Sequence, residues 1–192
     1  MEPAALSPTE MGCGSIVLFD LQQQAGHAMA VQRQSYQSGH APKCLVVVDD
    51  SEEWDRAIRY AGRWALRASG RIVMLHVIET EDQNQQWLGV ADLMRAEAQE
   101  QANAELDQAA VLLAAIGVTA PERVIREGEP TAQILATIEH DSDIALLVLA
   151  AHSGPEGPGP LVTHVTKTIG AFPIPLVIVP GDLRDADIDA LS

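Results

Sequence analysis

"CLVVVDDSEEWDRAIRYAGRWALRASG", residues 44–70, decides the fold. Cys44 to Val48 run without a polar break, which suits a strand buried on both faces. The run stops at Asp49-Asp50-Ser51. Beyond it Trp54, Ala57, Ile58, Ala61, Trp64 and Ala65 recur at helical spacing. Ser51 reads as the N-cap, with Glu52 and Glu53 in the first turn, and Gly70 as the stop.

Working outward, the alternation repeats. Residues 71–80, "RIVMLHVIET", read as a second strand, followed by the polar loop "EDQNQQ" (81–86). Residues 88–116 read as a long amphipathic helix ended by Gly117. Its spacing sets Ala98, Ala102, Ala109, Leu112 and Leu113 toward a sheet, and Glu97, Glu100, Glu105 and Asp107 toward solvent. "VTAPERVIREG" (118–128) reads as a half-exposed edge strand, and Pro130 opens a short helix. "IALLVLA" (144–150) is a fourth strand, "THVTKTIGAF" (163–172) a helix with Thr163 as N-cap, and "IPLVIVP" (174–180) a fifth strand. Five strands and four helices in alternation predict an α/β fold: a five-stranded parallel sheet with helices on both faces. Ligands of such sheets sit at the carboxyl ends of the strands, beside the reversal in strand order. Two strand ends therefore matter, Asp49-Asp50-Ser51 and the Gly/Pro tract after Ala151.

Three parts follow from composition. Residues 1–42, Gln-rich and with the short apolar run "SIVLFD" (15–20), form an N-terminal extension, flexible or docking. Residues 43–181 form the domain. Residues 182–192 form an acidic tail that reads as frayed. The net charge of −15 over 192 residues disfavours nucleic acid and anionic membranes as partners. Two cysteines make no disulfide framework; Cys44 reads as a small core hydrophobe and Cys13 as exposed. The N-terminus has the wrong charge for a secretory signal, and no apolar run spans a membrane, so a cytoplasmic protein is expected.

Five pieces, in order, resemble the universal stress protein family. They are "CLVVVDDSEEWDRAIRYAGRWA", "MLHVIE", "VIREGEPTAQIL", "HDSDIALLVLAAHSG" and "FPIPLVIVPG". The resemblance implies a flavodoxin-like sheet of order 3-2-1-4-5 over residues 43–181, and a homodimer paired through the last strand, with Val177, Ile178 and Val179 at the interface. It also implies, in the family's ATP-binding members, a strand-one Asp near the adenosine, a second-strand contact to the base, and a loop of glycines closed by Ser or Thr around the phosphates. Asp49, Val77 and Thr163 match three of those positions. The glycines fall on Ala150 or Ala151, on Ser153 or Gly154, and on Val162. The candidate nucleotide residues are thus Asp49, Val77, Ala151, Gly154 and Thr163.

A phosphate cradle needs free backbone N–H groups, and Pro155, Pro158 and Pro160 have none. A Cβ at Ala151 or Val162 crowds the approach, and the tract holds no Arg or Lys before Lys167. Two readings stay open. One is a non-enzymatic stress-response regulatory or binding module, acting as a dimer on an unidentified protein partner without a cofactor. The other is an ATP/Mg-binding member with slow or no hydrolysis. No catalytic or metal set emerges. His152, Ser153 and His164 lack a nucleophile elbow and zinc spacing, and read as loop residues. Asp49 and Asp50, being adjacent, diverge. His76 reads as a core histidine.

Overall fold

The computed structural model describes residues 32–80 and 88–192. The "SIVLFD" segment, Cys13 and the loop 81–86 lie outside the described residues. Five parallel strands form one sheet: β1 (Lys43–Val47), β2 (Arg71–Ile78), β3 (Glu122–Glu127), β4 (Ile144–Ala151) and β5 (Leu176–Pro180). Their order is β3-β2-β1-β4-β5. The connections run outward from β1 to β3 on one side and then return to β4 on the other. The reversal between β1 and β4 opens a crevice at their carboxyl ends.

The sheet is sandwiched. On one face lie α1 (Trp54–Ala68) and α2 (Leu88–Ile116), which bury Ala57, Ile58, Ala61, Leu106 and Leu113 against Cys44, Val46 and Val48. On the other lie α3 (Pro130–His140) and α4 (Pro160–Lys167), which bury Ile134, Ile138, Val162 and Val165 against Leu45 and Val47. β1 thus sends alternate residues into two cores, which is why its sequence lacks a polar break. Each fully buried Ile or Leu contributes about 1.5–3 kcal/mol of transfer free energy. Burial also pushes the Cys44 thiol far above its ordinary pKa, so it behaves as a core hydrophobe.

Local boundaries differ from the sequence reading in three places. α1 opens three residues beyond Ser51, whose hydroxyl donates instead to Asp49 Oδ1 at 2.5 Å. α4 opens at Pro160, with Gly159 before it at φ +92°, so Thr163 is not an N-cap but a first-turn residue whose hydroxyl donates to the Gly159 carbonyl. On α2, Leu106 is buried while Leu112 is 37% exposed. Glu105 turns back toward His76, its Oε2 standing 3.1 Å from Nδ1 but misaligned for a hydrogen bond. Gly117, at φ +104°, ends α2 as expected, with the N–H groups of Gly117 and Val118 both reaching the Leu113 carbonyl.

The tail is not frayed. Asp185–Leu191 form helix α5, with Ile188 fully buried in the α1/α2 layer. Its aspartates meet a stripe of arginines on α1 that the sequence reading left unpaired with them. Part of the segment before Lys43 is likewise built in. Arg33 donates through Nη1 to the carbonyls of Ile138 and Asp141, capping the end of α3, and Ser35 is buried. Lys43 ties the near end of β1 to Glu122 and Asp141.

β5 pairs with β4 on one side. The Pro175 carbonyl accepts from Leu147 and the Gly181 N–H donates to Ala151. By alternation, odd-numbered residues of β5 bond inward and even-numbered ones face the outer edge. Among the described residues the outer edge is unpaired and offers the N–H groups of Leu176 and Ile178, while Pro180 has none to offer. Val179 is buried within the chain, Val177 packs on the α1/α2 layer and Ile178 on the α3/α4 layer.

Candidate functional site

The crevice at the strand ends is a cavity of about 380 Å³. Its floor is Val47, Val48, Asp49 and Ala150; Val77 and Glu79 close one side, the start of α3 another, and Pro158 to Val162 a third. Sheet order brings these segments together, because β2, β1 and β4 are consecutive neighbours.

Of the five residues the sequence singled out, Asp49 and Val77 line the cavity; Ala151, Gly154 and Thr163 do not. Ala151 is buried at the end of β4, its carbonyl taken by Gly181. Gly154 bridges to Gly157, folding residues 154–157 into a tight turn, and any side chain on it would strike the His152 ring. Ser153 pins this turn by donating to Asp182 Oδ1 and accepting from the Asp182 N–H. The tract is thus held by the chain's own contacts.

The charges are one-sided. Among the described residues Asp49, Asp50, Glu53, Glu79 and Glu129 line the cavity, against His152 and His164 and no Lys or Arg. Asp49 is half-buried, and burial raises its carboxyl above the usual range despite the two donors of Ser51. Glu129 is not free. Its carboxylate accepts from the N–H groups of Thr131 (2.9 Å) and Ala132 (2.6 Å), so the anion-binding end of α3 is filled by the chain's own anion. Although burial opposes it, these N–H groups hold the Glu129 carboxyl below the usual range. Thr131 is 8% exposed, and its hydroxyl, near that carboxylate, meets no partner in hydrogen-bonding geometry.

The two histidines read as loop residues have defined places. His152 Nδ1 lies 2.5 Å from Glu53 Oε1, and this hydrogen bond raises the imidazole above its ordinary pKa. His164 Nδ1 donates to the Pro160 carbonyl. Glu53, Glu79 and Glu129 were missed as site residues. Glu129 had a signal in the sequence, an acidic residue directly before a helix-opening proline; Glu53 and Glu79 had none, since their roles depend on β4 and β1 lying beside them. Among the described residues no three His, Cys, Asp or Glu side chains converge to hold a metal ion.

The family model for the universal stress proteins matches residues 41–180, most of the chain and the whole sheet. This chain belongs to the universal stress protein family. The universal stress protein UspA from Lactobacillus plantarum superposes with a TM-score of 0.61 at 22% identity, covering 72% of this chain and 97% of that one. A universal stress protein from Archaeoglobus fulgidus superposes with a TM-score of 0.53 at 18% identity, over 72% and 93%. A universal stress protein solved in complex with cAMP gives 0.54 at 18%, over 72% and 96%. At these identities the likeness is one of fold. A search of curated protein sequences found no match. The strand order expected from the resemblance is the one observed. Helix α5 lies beyond the matched residues. No helix among the described residues is long and apolar enough to cross a membrane.

Proposed function

We propose that this universal stress protein is a non-enzymatic stress-response binding module, a cytoplasmic homodimer paired through β5, whose strand-end cavity does not hold ATP in the family's manner. One observation carries the reading: among the described residues, five carboxylates and no Lys or Arg line the cavity. A unit charge of like sign 4 Å away costs about 4 kcal/mol at an effective dielectric of 20. A polyphosphate there would meet several such charges. Two of the wall residues, Pro158 and Pro160, lack an N–H, and the N–H groups at the start of α3 are already bonded to Glu129. Ser51 donates to Asp49 inside the cavity, but both cavity histidines are bonded elsewhere, to Glu53 and to the Pro160 carbonyl, so no base–orienter relay activates the hydroxyl, which favours binding over catalysis.

A second reading, ATP with Mg²⁺ and slow or no hydrolysis, has specific support. Asp49 and Val77, the positions matched to the adenosine end, both line the cavity, and a relative of the same fold was solved with cAMP. Thermal melting with and without millimolar ATP and Mg²⁺ separates the two. Ligand binding to the native state raises stability, by about 2.7 kcal/mol at a hundredfold excess over Kd. The expected outcome is no shift. A rise of several degrees would establish the second reading.

A further inference from the structure

The features that make the cavity a poor phosphate site suit it to the opposite charge. We propose that the crevice between β1 and β4 binds a linear aliphatic polyamine. The proposal rests on the reading that ATP does not occupy this cavity.

The first argument is charge. Asp49, Asp50, Glu53, Glu79 and Glu129 surround one space, and among the described residues the basic groups facing it are two imidazoles. The second is spacing. No three acidic, His or Cys side chains among the described residues converge on a point, so the carboxylates are spread along the walls. A compact metal ion needs convergent oxygens. An extended cation, with ammonium groups separated by methylenes, needs the reverse. The third is the surface between the charges. Val47, Val77, Leu161 and Val162 supply apolar wall where such methylenes would lie. The volume, about 380 Å³, is in the range of small-ligand sites, about 300–1,000 Å³.

An independent observation points to a hydrogen-bonding ligand. Thr131, 8% exposed and lining the cavity, has a hydroxyl with no partner in bonding geometry. A buried polar group left without a partner is costly. An ammonium group can donate to this oxygen while the O–H turns to the Glu129 carboxylate beside it. Asp49 adds a second acceptor, a half-buried carboxylate whose Oδ1 takes both donors of Ser51. A phosphate here would face five acidic residues, with no Lys or Arg among the described lining residues to offset its charge.

The test is calorimetric titration of the full chain with spermidine at moderate ionic strength. Two double variants are compared with the wild type. Asp49→Asn/Glu79→Gln removes two charges from the cavity. Glu97→Gln/Glu100→Gln removes two from the exposed side of α2. Saturable binding of one spermidine per chain is expected, weakened about tenfold or more by the cavity variant and less than about twofold by the control. No saturable heat, several spermidines per chain, or equal weakening in both variants would overturn the proposal. ATP titrated in parallel separates the premise from the inference. Heat with ATP removes the premise, whereas no heat from either ligand removes the polyamine alone.

Discussion

Arg59 and Asp189 meet fork to fork: Nε and Nη2 of the guanidinium donate to Oδ1 and Oδ2 of the carboxylate at 2.9 and 2.7 Å. They lie 130 residues apart. Arg63 repeats the geometry on the same carboxylate at 2.9 and 3.0 Å, and Arg67 donates to the Asp189 carbonyl. Arginines at 59, 63 and 67 share one face of α1 because four residues is about one helical turn. The acidic tail is therefore a helix clamped to the domain, with Ile188 as its apolar anchor.

Removing the anchor and removing the clamp should differ. Ile188→Ala is expected to cost roughly 2 kcal/mol, the low end for a buried Ile because a surface helix can settle inward. Asp189→Asn should weaken docking of α5 at low salt and much less at high salt, since these pairs are solvent-accessible. The Arg59 and Arg63 hydrogen bonds hold the Asp189 carboxyl below the usual range. A lowered folded-state pKa gives stability that is present above the unfolded value and lost as pH falls through the folded one. The wild-type helix should thus release in acid, below the ordinary carboxylate range. Hydrogen exchange of the α5 amides, followed against salt and pH, reports the release.

Asp49→Asn should raise the melting temperature at neutral pH. Burial raises the Asp49 carboxyl, so the folded state holds this proton more tightly than the unfolded chain. The associated stability is present below the unfolded pKa and lost as pH rises through the raised folded value. Asn keeps an acceptor for Ser51 without the charge. The gain should vanish in acid, where both proteins are neutral at this position. Melting curves across pH decide it; a lower melting temperature at neutral pH would contradict the argument.

Glu129→Ala leaves Thr131 and Ala132 without their acceptor. The expected loss is about 1 kcal/mol, as for a helix N-cap. Because the Glu129 carboxyl is lowered, that loss should be full above the ordinary carboxylate range and shrink as pH falls. Urea denaturation at two pH values measures it.

The β5 edge predicts a precise way to make a monomer. Lys at 177 would enter the chain's own core layer, so it tests folding rather than assembly. Ile178→Pro removes one of the two outward N–H groups while leaving the odd-numbered bonds to β4 intact. The wild type should sediment as a dimer at tens of micromolar and the variant as a folded monomer. A wild-type monomer would refute pairing through this edge.

Most of the fold was legible because its causes are local. An unbroken apolar run such as Cys44–Val48 can only be buried on both sides, and helical spacing in Trp54–Ala65 marks the face that covers it. Alternation of the two, with right-handed crossovers, leaves a parallel sheet, and the five pieces of family likeness supplied the strand order. Helix ends were less legible. Ser51 and Thr163 are good caps in isolation, but each hydroxyl found a nearer acceptor, Asp49 Oδ1 in one case and the Gly159 carbonyl in the other.

The sequence by itself determined the sheet, its two apolar layers, and the presence of Asp49 and Val77 at strand ends. Tertiary structure alone decided what those ends enclose. Glu53 and His152 are 99 residues apart and share a hydrogen bond across the crevice. Arg59 and Asp189 turn an apparent tail into a helix of the domain. Burial patterns repeat within a few residues and can be counted along a chain. Charge pairing depends on which strands become neighbours, and a chain acquires those neighbours only once the sheet has closed.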